Sequence, residues 1–288
     1  MSKTRQRAVL LVLPTVIILV LVVVFPMFYS LSVSFRMYDL RVPRHPFVGL
    51  ENYVRLFTDS RFHNALGVTG LLLIGELALQ FPIGFGLALL LARKFWGKKA
   101  VQPVLLLPMM VTPVVVGYMG RLLFEVRSGP INYFLSLAGL PGGLWHSSAS
   151  TALLTVMLLD TWQWTPFIMG VMLAGLTSLP VEPYESARVD GASGLQIFWY
   201  LTLPMLKPVI ALVIIMRTLA ILQTFDVIYV LTLGGPGTAT ETIGIYTYLI
   251  GFRYWDIGRA SSAAWILALI LSAGITMFLR LMSKERVQ

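Results

Sequence analysis

Six long apolar segments dominate the sequence and restrict the folds that are open to it. A helix that crosses the ~30 Å hydrocarbon core of a bilayer needs about 20 consecutive apolar residues. Each segment reaches that length, and their approximate bounds are Ala8 to Phe35, Asn64 to Ala92, Val101 to Phe124, Thr151 to Leu179, Met205 to Leu233 and Arg259 to Met282. The sequence therefore predicts an all-α integral membrane protein with six transmembrane helices, organised as one domain over residues 1–288.

Composition agrees with a membrane protein and removes several other classes. Charged residues make up only 12% of the chain, against about 25% in soluble domains. The chain has no cysteine, which excludes disulfide frameworks, thiol nucleophiles and thiolate metal sites. Its net charge of +9 lies largely in short connections between apolar segments, where it orients a membrane protein. We therefore expect membrane lipid around the chain, and neither a metal site nor a nucleic-acid partner.

Basic residues in the connections predict the orientation. Cytoplasmic connections of membrane proteins carry an excess of Lys and Arg, and three such clusters fall on one side if all six helices span: Lys3, Arg5 and Arg7; Arg93, Lys94, Lys98 and Lys99; and Arg280, Lys284 and Arg286. Both termini are therefore predicted to be cytoplasmic. Five arginines in the first connection, at residues 36–63, argue against this orientation and are only partly balanced by three acids. Helical spacing of apolar residues predicts a short surface helix within this connection, and another is predicted within residues 127–150.

Residues 180–207 form the most informative connection, between the fourth and fifth apolar segments. Prolines end the fourth segment, and Glu182 to Ala192 can then form a helix with two glutamates at its dipole-positive start. Gly191 and Gly194 are expected to end that helix. A second short amphipathic helix is predicted from Gln196 to Leu203, after which Pro204 is expected to turn the chain back into the membrane.

This connection resembles the signature of transmembrane subunits of binding-protein-dependent ABC importers. That signature reads EAA, three residues, Gly, nine residues, then IxLP, and the chain departs from it at two positions. The matching positions are Glu185, Ser186, Ala187, Gly191, Leu201, Leu203 and Pro204, with serine for the second alanine and Leu201 for isoleucine. The resemblance implies a cytoplasmic coupling helix that transmits closure of a partner ATPase to the membrane helices.

The resemblance extends to nearly the whole chain and points to the carbohydrate branch of these importers, similar to maltose-type and polyol-type systems. It is carried by FVGLENYVRLF at residues 47–57, by GPINYFL and by FDVIYVLTLGGPGTATET at residues 225–242. It implies a permease subunit in a bacterial or archaeal inner membrane that forms half of a pathway for a sugar or sugar alcohol. The implied partners are a second permease subunit, two ATPase subunits and an external solute-binding protein.

Ionisable groups within the apolar segments are candidates for function, because charges in a bilayer are costly. Glu76 and Arg217 fall near mid-depth, and we expect them to form an intramembrane ion pair. Two polar faces are candidate pathway linings: Asp160, Gln163 and Trp164 on the fourth helix, and Gln223, Asp226 and Tyr229 on the fifth. Aromatic rings, amides and carboxylates are the groups that bind sugars. Packing against lipid or against another subunit is the alternative for both faces.

Two other classes of protein have less support. An intramembrane aspartyl enzyme would need a glycine-rich setting around Asp160 or Asp226, and neither has one. An ion-coupled secondary transporter of a small polar solute remains an alternative, but it leaves residues 180–207 unexplained. The chain has no phosphate-binding loop of its own, because Ala92 stands where the first glycine before Gly97, Lys98 and Lys99 is needed. It is therefore predicted to be no enzyme and to bind no cofactor, with ATP and Mg²⁺ held by the partner ATPases.

Overall fold

The computed structural model describes residues 12–284, and every element in that range is helical except for isolated bridges and turns. The starting residue Ala8, the basic residues at 3, 5 and 7, and Arg286 lie outside the described residues. The α-helices are α1 (Val12–Ser34), α2 (Glu51–Thr58), α3 (Ser60–Ala92), α4 (Lys98–Leu106), α5 (Pro113–Leu123), α6 (Pro130–Leu137), α7 (Ala152–Thr177), α8 (Glu182–Val189), α9 (Gly194–Ile197), α10 (Leu203–Leu222), α11 (Asp226–Leu231), α12 (Ile243–Tyr248) and α13 (Ile257–Lys284).

Four helical stretches of the described chain are long and apolar enough to cross a membrane: Val12–Ser34, Ser60–Ala92, Gly194–Leu231 and Ile257–Thr276. Two bent pairs raise that number to as many as six if each pair counts as one span. One is Lys98–Met110 with Pro113–Leu123, and the other is Ala152–Thr177 with Glu182–Val189. The chain is thus an all-α membrane protein with four to six candidate spans.

The third apolar segment differs from the continuous helix predicted over Val101 to Phe124. After α4 the chain tightens into a 3₁₀ turn, Leu107–Met110, and α5 then departs at 94° to the preceding helix. Proline explains the break, because Pro113 lacks an N–H and forces Thr112 into an extended conformation with ψ of 143°. The segment contains two further prolines, Pro103 and Pro108, and the second of them lies in the 3₁₀ turn.

The fifth apolar segment also differs from its prediction. No separate helix ends before Pro204, because α9 continues through a π-helical stretch, Phe198–Thr202, directly into α10. Pro204 is the second residue of α10 and directly follows the π-helical stretch, so its N–H is missing where the regular α-helical hydrogen-bond pattern is already interrupted. The helix is instead interrupted further on, at residues 223–225, before α11 begins at Asp226.

The described chain divides into two compact units, of which the second comprises Asn64–Ile245 and residues 274–284. Its apolar core forms where α3, α7 and α10 meet. Fully buried members include Ala88, Ile168, Met172, Leu206 and Val213. Small residues let helices approach closely elsewhere in this unit: a Cβ atom added to Gly117 of α5 would lie 2.8 Å from Cβ of Val230 in α11. Organisation of the whole chain as one domain stays a prediction.

The first unit comprises residues 12–63 and Tyr246–Ala273. The predicted surface helix in its connection is confirmed as α2, which buries Asn52 and Leu56. The Asn52 amide donates hydrogen bonds to the carbonyls of Ser34 and Arg36, at 2.9 and 2.8 Å. These bonds satisfy backbone groups at the end of α1 and fix the course of the chain leaving that helix.

Asp59 links separate parts of the first unit. Its carboxylate accepts hydrogen bonds from the hydroxyl of Tyr246, at 2.9 Å, and from the guanidinium of Arg259. Burial alone would raise the pKa of Asp59, but these bonds, the N–H of Arg61 and the charge of Arg259 together lower its pKa below the ordinary value. The carboxylate is therefore ionised at neutral pH and holds α12 and α13 against the start of α3.

Candidate functional site

Helix α8 and the turn after it carry the first half of the importer-like signature. Glu182 and Glu185 lie in the first turn of α8 and Arg188 lies in its last turn, so each charge is favourable for the helix dipole. Gly191 ends the helix with φ of +79°, in the left-handed region that glycine adopts without steric cost. The N–H of Ala192 donates to the carbonyl of Ala187 at 2.9 Å, which closes the turn.

A capping box starts the helical stretch that follows this turn. The Ser193 hydroxyl accepts from the N–H of Gln196, and the Gln196 side chain accepts from the N–H of Ser193 at 2.7 Å. The Tyr184 hydroxyl donates to the Thr202 hydroxyl at 3.2 Å and so ties α8 to the π-helical stretch. We call Glu182–Thr202 the knob. Its two arms, α8 and the helical stretch that begins at α9, are joined by the bond between Tyr184 and Thr202.

A cavity of about 400 Å³ lies between the arms of the knob. Three of the signature residues line it, namely Ala187, Gly191 and Leu201, together with Tyr200, whose side chain is 78% exposed. Of the other signature residues, Glu185, Ser186 and Pro204 are exposed, and Leu203 packs against the core of the second unit. The importer-like signature therefore marks a surface depression, and the helix beside it carries the carboxylate of Glu185 and the hydroxyl of Ser186.

Deep among α3, α7 and α10, a buried guanidinium joins three polar side chains. Arg217 donates from Nε to the Gln80 amide oxygen at 2.9 Å and from an Nη atom to the Asp160 carboxylate at 2.8 Å. The Gln80 amide nitrogen donates to the same Asp160 oxygen at 2.8 Å. Glu76 lies 3.8 Å from the guanidinium, beyond hydrogen-bonding distance, and all four side chains are almost completely buried. We call these four residues the buried network.

The network partly matches the pairing predicted from sequence. Glu76 and Arg217 do face each other, but Asp160 is the closer partner of the guanidinium. Gln80 was missed, although it follows Glu76 by four residues and so shares its helix face. That spacing was the available signal, because a polar residue one helical turn from a buried acid is placed to bind the same cation.

A second cavity, of about 120 Å³, lies beside the network. Its lining contains Asp160 and Trp164 of α7, Arg217 of α10, and Gln223 and Asp226 at the helix interruption. The guanidinium carbon of Arg217 lies 5.3 Å from the centroid of the Trp164 ring, a cation–π distance. Four of the six residues predicted to line a substrate pathway therefore meet at one cavity.

The remaining two predicted pathway residues lie elsewhere. The Gln163 side chain is fully buried, and its amide donates to the carbonyl of Val111 at 2.7 Å, where the bend before α5 leaves that carbonyl without a helical partner. The Tyr229 ring stacks on Phe225 at 5.2 Å and is not among the lining residues. The three-residue spacing of 223, 226 and 229 did not make one continuous helix face, because α10 ends at Leu222. Within residues 12–284, no three His, Asp or Glu side chains are grouped to hold a metal ion.

Comparison with known proteins identifies the fold's relatives. Residues 80–286 match the family described as binding-protein-dependent transport system inner membrane component. The chain is 32% identical to the trehalose/maltose transport system permease protein MalF of Thermococcus litoralis, over 96% of this chain and 94% of that protein. It is 33% identical to the sulfoquinovosyl glycerol transport system permease protein SmoG of Agrobacterium fabrum, over 96% and 90%.

Similarity extends to a solved transporter. One chain of a bacterial alginate ABC transporter, crystallised with an alginate pentasaccharide-bound periplasmic protein, superimposes with a TM-score of 0.85. That chain is 26% identical, and the alignment covers 96% of this chain and 93% of the other. Since the family match covers more than half of the sequence and full-length relatives exceed 30% identity, the chain belongs to the family of binding-protein-dependent transport system inner membrane components and is a multi-pass permease subunit of an ABC importer.

Proposed function

We propose that this permease subunit forms half of a translocation pathway for a neutral or acidic sugar or a sugar alcohol, delivered by an external solute-binding protein. The observation that carries the proposal is the 120 Å³ cavity in which an aromatic ring, an amide and charged groups meet beside an interrupted membrane helix. Rings stack on the C–H faces of sugars while amides and carboxylates bind hydroxyl groups. The named relatives carry trehalose or maltose and sulfoquinovosyl glycerol, which agrees with a carbohydrate.

The complex would contain a second permease subunit and two ATPase subunits that bind ATP and Mg²⁺. The knob is the proposed contact with one ATPase, with Glu185 and Ser186 on its exposed helix and Ala187, Gly191 and Leu201 lining the cavity between its arms. Family membership removes the ion-coupled secondary transporter as an alternative, because these importers depend on partner ATPases.

Six spans with both termini in the cytoplasm are the proposed topology, and introduced cysteines test it because the chain has none of its own. Val54→Cys in α2 and Leu195→Cys in the knob are suitable, since both side chains are more than half exposed. A membrane-impermeant maleimide is expected to label position 54 from outside intact cells and position 195 only after the cells are opened. Labelling of position 54 from the cytoplasmic side alone would contradict the topology.

Gln223→Ala tests the proposed pathway. Loss of one hydrogen bond to a sugar hydroxyl is expected to raise the KM of transport about tenfold, with the affinity of the solute-binding protein for the sugar unchanged. Uptake and sugar-stimulated ATP hydrolysis are measured with the reconstituted importer. Gln102→Ala is the matched control, because Gln102 lies in α4 and is not among the residues that line the cavity. Equal kinetics for both variants would remove Gln223 from the pathway.

A further inference from the structure

The connection between α3 and α4, at residues 93–99, combines four cations with two exposed aromatic rings. It contains Arg93, Lys94, Lys98 and Lys99 and has no acidic residue. The Trp96 side chain is 100% exposed and that of Phe95 is 43% exposed. No hydrogen bond or ion pair of these four cationic side chains occurs within the described part of the chain.

Folding of the subunit does not explain this composition. A fully exposed tryptophan contributes no packing to the chain that carries it. Lys98 and Lys99 occupy the first turn of α4, where the helix dipole disfavours positive charge. An exposed tryptophan becomes favourable in partly apolar surroundings, and positive charge at the start of α4 becomes favourable in anionic surroundings.

Neighbouring side chains indicate which surroundings those are. Leu90 in the last turns of α3 is 59% exposed, and Val101 and Val104 in α4 are 41% and 61% exposed. Exposed apolar side chains on membrane helices face hydrocarbon or another membrane subunit, and both lie at the depth of the hydrocarbon, so the chain leaves that depth after Ala92 and returns to it beyond Lys99. Residues 93–99 then lie at the depth of the lipid headgroups, where tryptophan is enriched and where Lys and Arg are attracted to anionic lipids.

We propose that residues 93–99 bind the headgroups of anionic phospholipids. The four cations contact lipid phosphate groups, and Trp96 lies among the headgroups with its ring against the upper acyl chains. This site is separate from the knob and from the sugar pathway, and its failure would leave the proposed transport function unaffected.

The test uses the complete importer with wild-type chain or with the variant K94Q/K98Q/K99Q. Native mass spectrometry measures how much phosphatidylglycerol and phosphatidylcholine each complex retains from an equal mixture. We expect preferential retention of phosphatidylglycerol, reduced about tenfold or more in the variant, since three cations near an anionic surface are lost. The control is R44Q/R127Q/R253Q, which removes three exposed cations from other connections. An equal reduction in the control would assign the effect to net charge and overturn the proposal.

Trp96 supplies a second readout in nanodiscs that contain phosphatidylglycerol. The difference in fluorescence between wild type and W96F isolates the emission of this ring. Brominated acyl chains are expected to quench that emission, and quenching should fall in nanodiscs of phosphatidylcholine alone. Trp96 emission that changes only when the ATPase subunits are removed, with no response to brominated lipid or to headgroup charge, would place residues 93–99 against an ATPase and overturn the proposal.

Discussion

Arg217→Met is expected to prevent stable folding of the subunit in the membrane. The guanidinium is 2% exposed and supplies both hydrogen bonds and compensating charge to the network. Without it, Asp160 and Glu76 remain buried with no cation beside them, and removal of one partner from a buried ion pair costs about 3–5 kcal/mol. That cost is a large part of the roughly 5–15 kcal/mol by which folded proteins are stable. The measurement is the amount of full-length subunit in the membrane and the unfolding temperature of the purified complex.

Two further variants separate the charge effect from side-chain packing. R217M/D160N/E76Q has no buried charge at these positions, so it should regain much of the stability lost in Arg217→Met while transport stays impaired. Arg121→Met is the control, because Arg121 is exposed and donates a long hydrogen bond, at 3.4 Å, to the carbonyl of Leu231. Arg217→Met with wild-type stability would show that the network contributes nothing to folding.

Gly191→Val is expected to inactivate the assembled importer by impairing communication between the ATPases and the membrane helices. Gly191 has φ of +79°, which a β-branched residue adopts at a cost of about 1–2 kcal/mol. Apart from its two chain neighbours, no atom of residues 12–284 lies within 4 Å of an added Cβ, so backbone strain rather than collision is the cause. Relief of that strain would reorient α8 relative to the helical stretch that begins at α9. Transport and sugar-stimulated ATP hydrolysis should therefore fall together, by an order of magnitude or more, while assembly of the complex is retained.

Gly191→Asn is the matched variant for this prediction. Asparagine tolerates the left-handed region better than other side chains, because its amide can bond to the local backbone. It should retain most of the coupled activity although its side chain has one more non-hydrogen atom than that of valine. If valine and asparagine reduce activity equally, the conformation of residue 191 is not the cause. If Gly191→Val leaves activity unchanged, the knob does not transmit closure of the ATPases to the membrane helices.

Local patterns in the sequence predicted local structure well. The apolar stripe around Leu56 marked α2, the glycine at 191 marked the end of α8, and length and composition marked the long apolar helices. Each of these depends on residues within one or two helical turns. The chemistry needed to recognise them is therefore contained in a short stretch of chain.

The packing of one helix against another was harder to predict from the sequence. Asp160, 57 residues from Arg217, became its closest partner because α7 and α10 are rotated to face each other, and periodicity within one helix does not specify that rotation. The interruption at residues 223–225 contains neither proline nor glycine, so the usual signals of a helix end were absent. Only the acid at Asp226, in the first turn of α11, hinted at a new start.

At the interruption between α10 and α11, the negative end of one helix dipole lies next to the positive end of another. The end of α10 presents backbone carbonyls with partial negative charge, and the start of α11 presents N–H groups with partial positive charge. Both kinds of group belong to the main chain, so they persist when side chains change. If the proposed sugar pathway passes this interruption, its main-chain groups would offer a solute hydroxyl both a donor and an acceptor, whichever side chains lie around them.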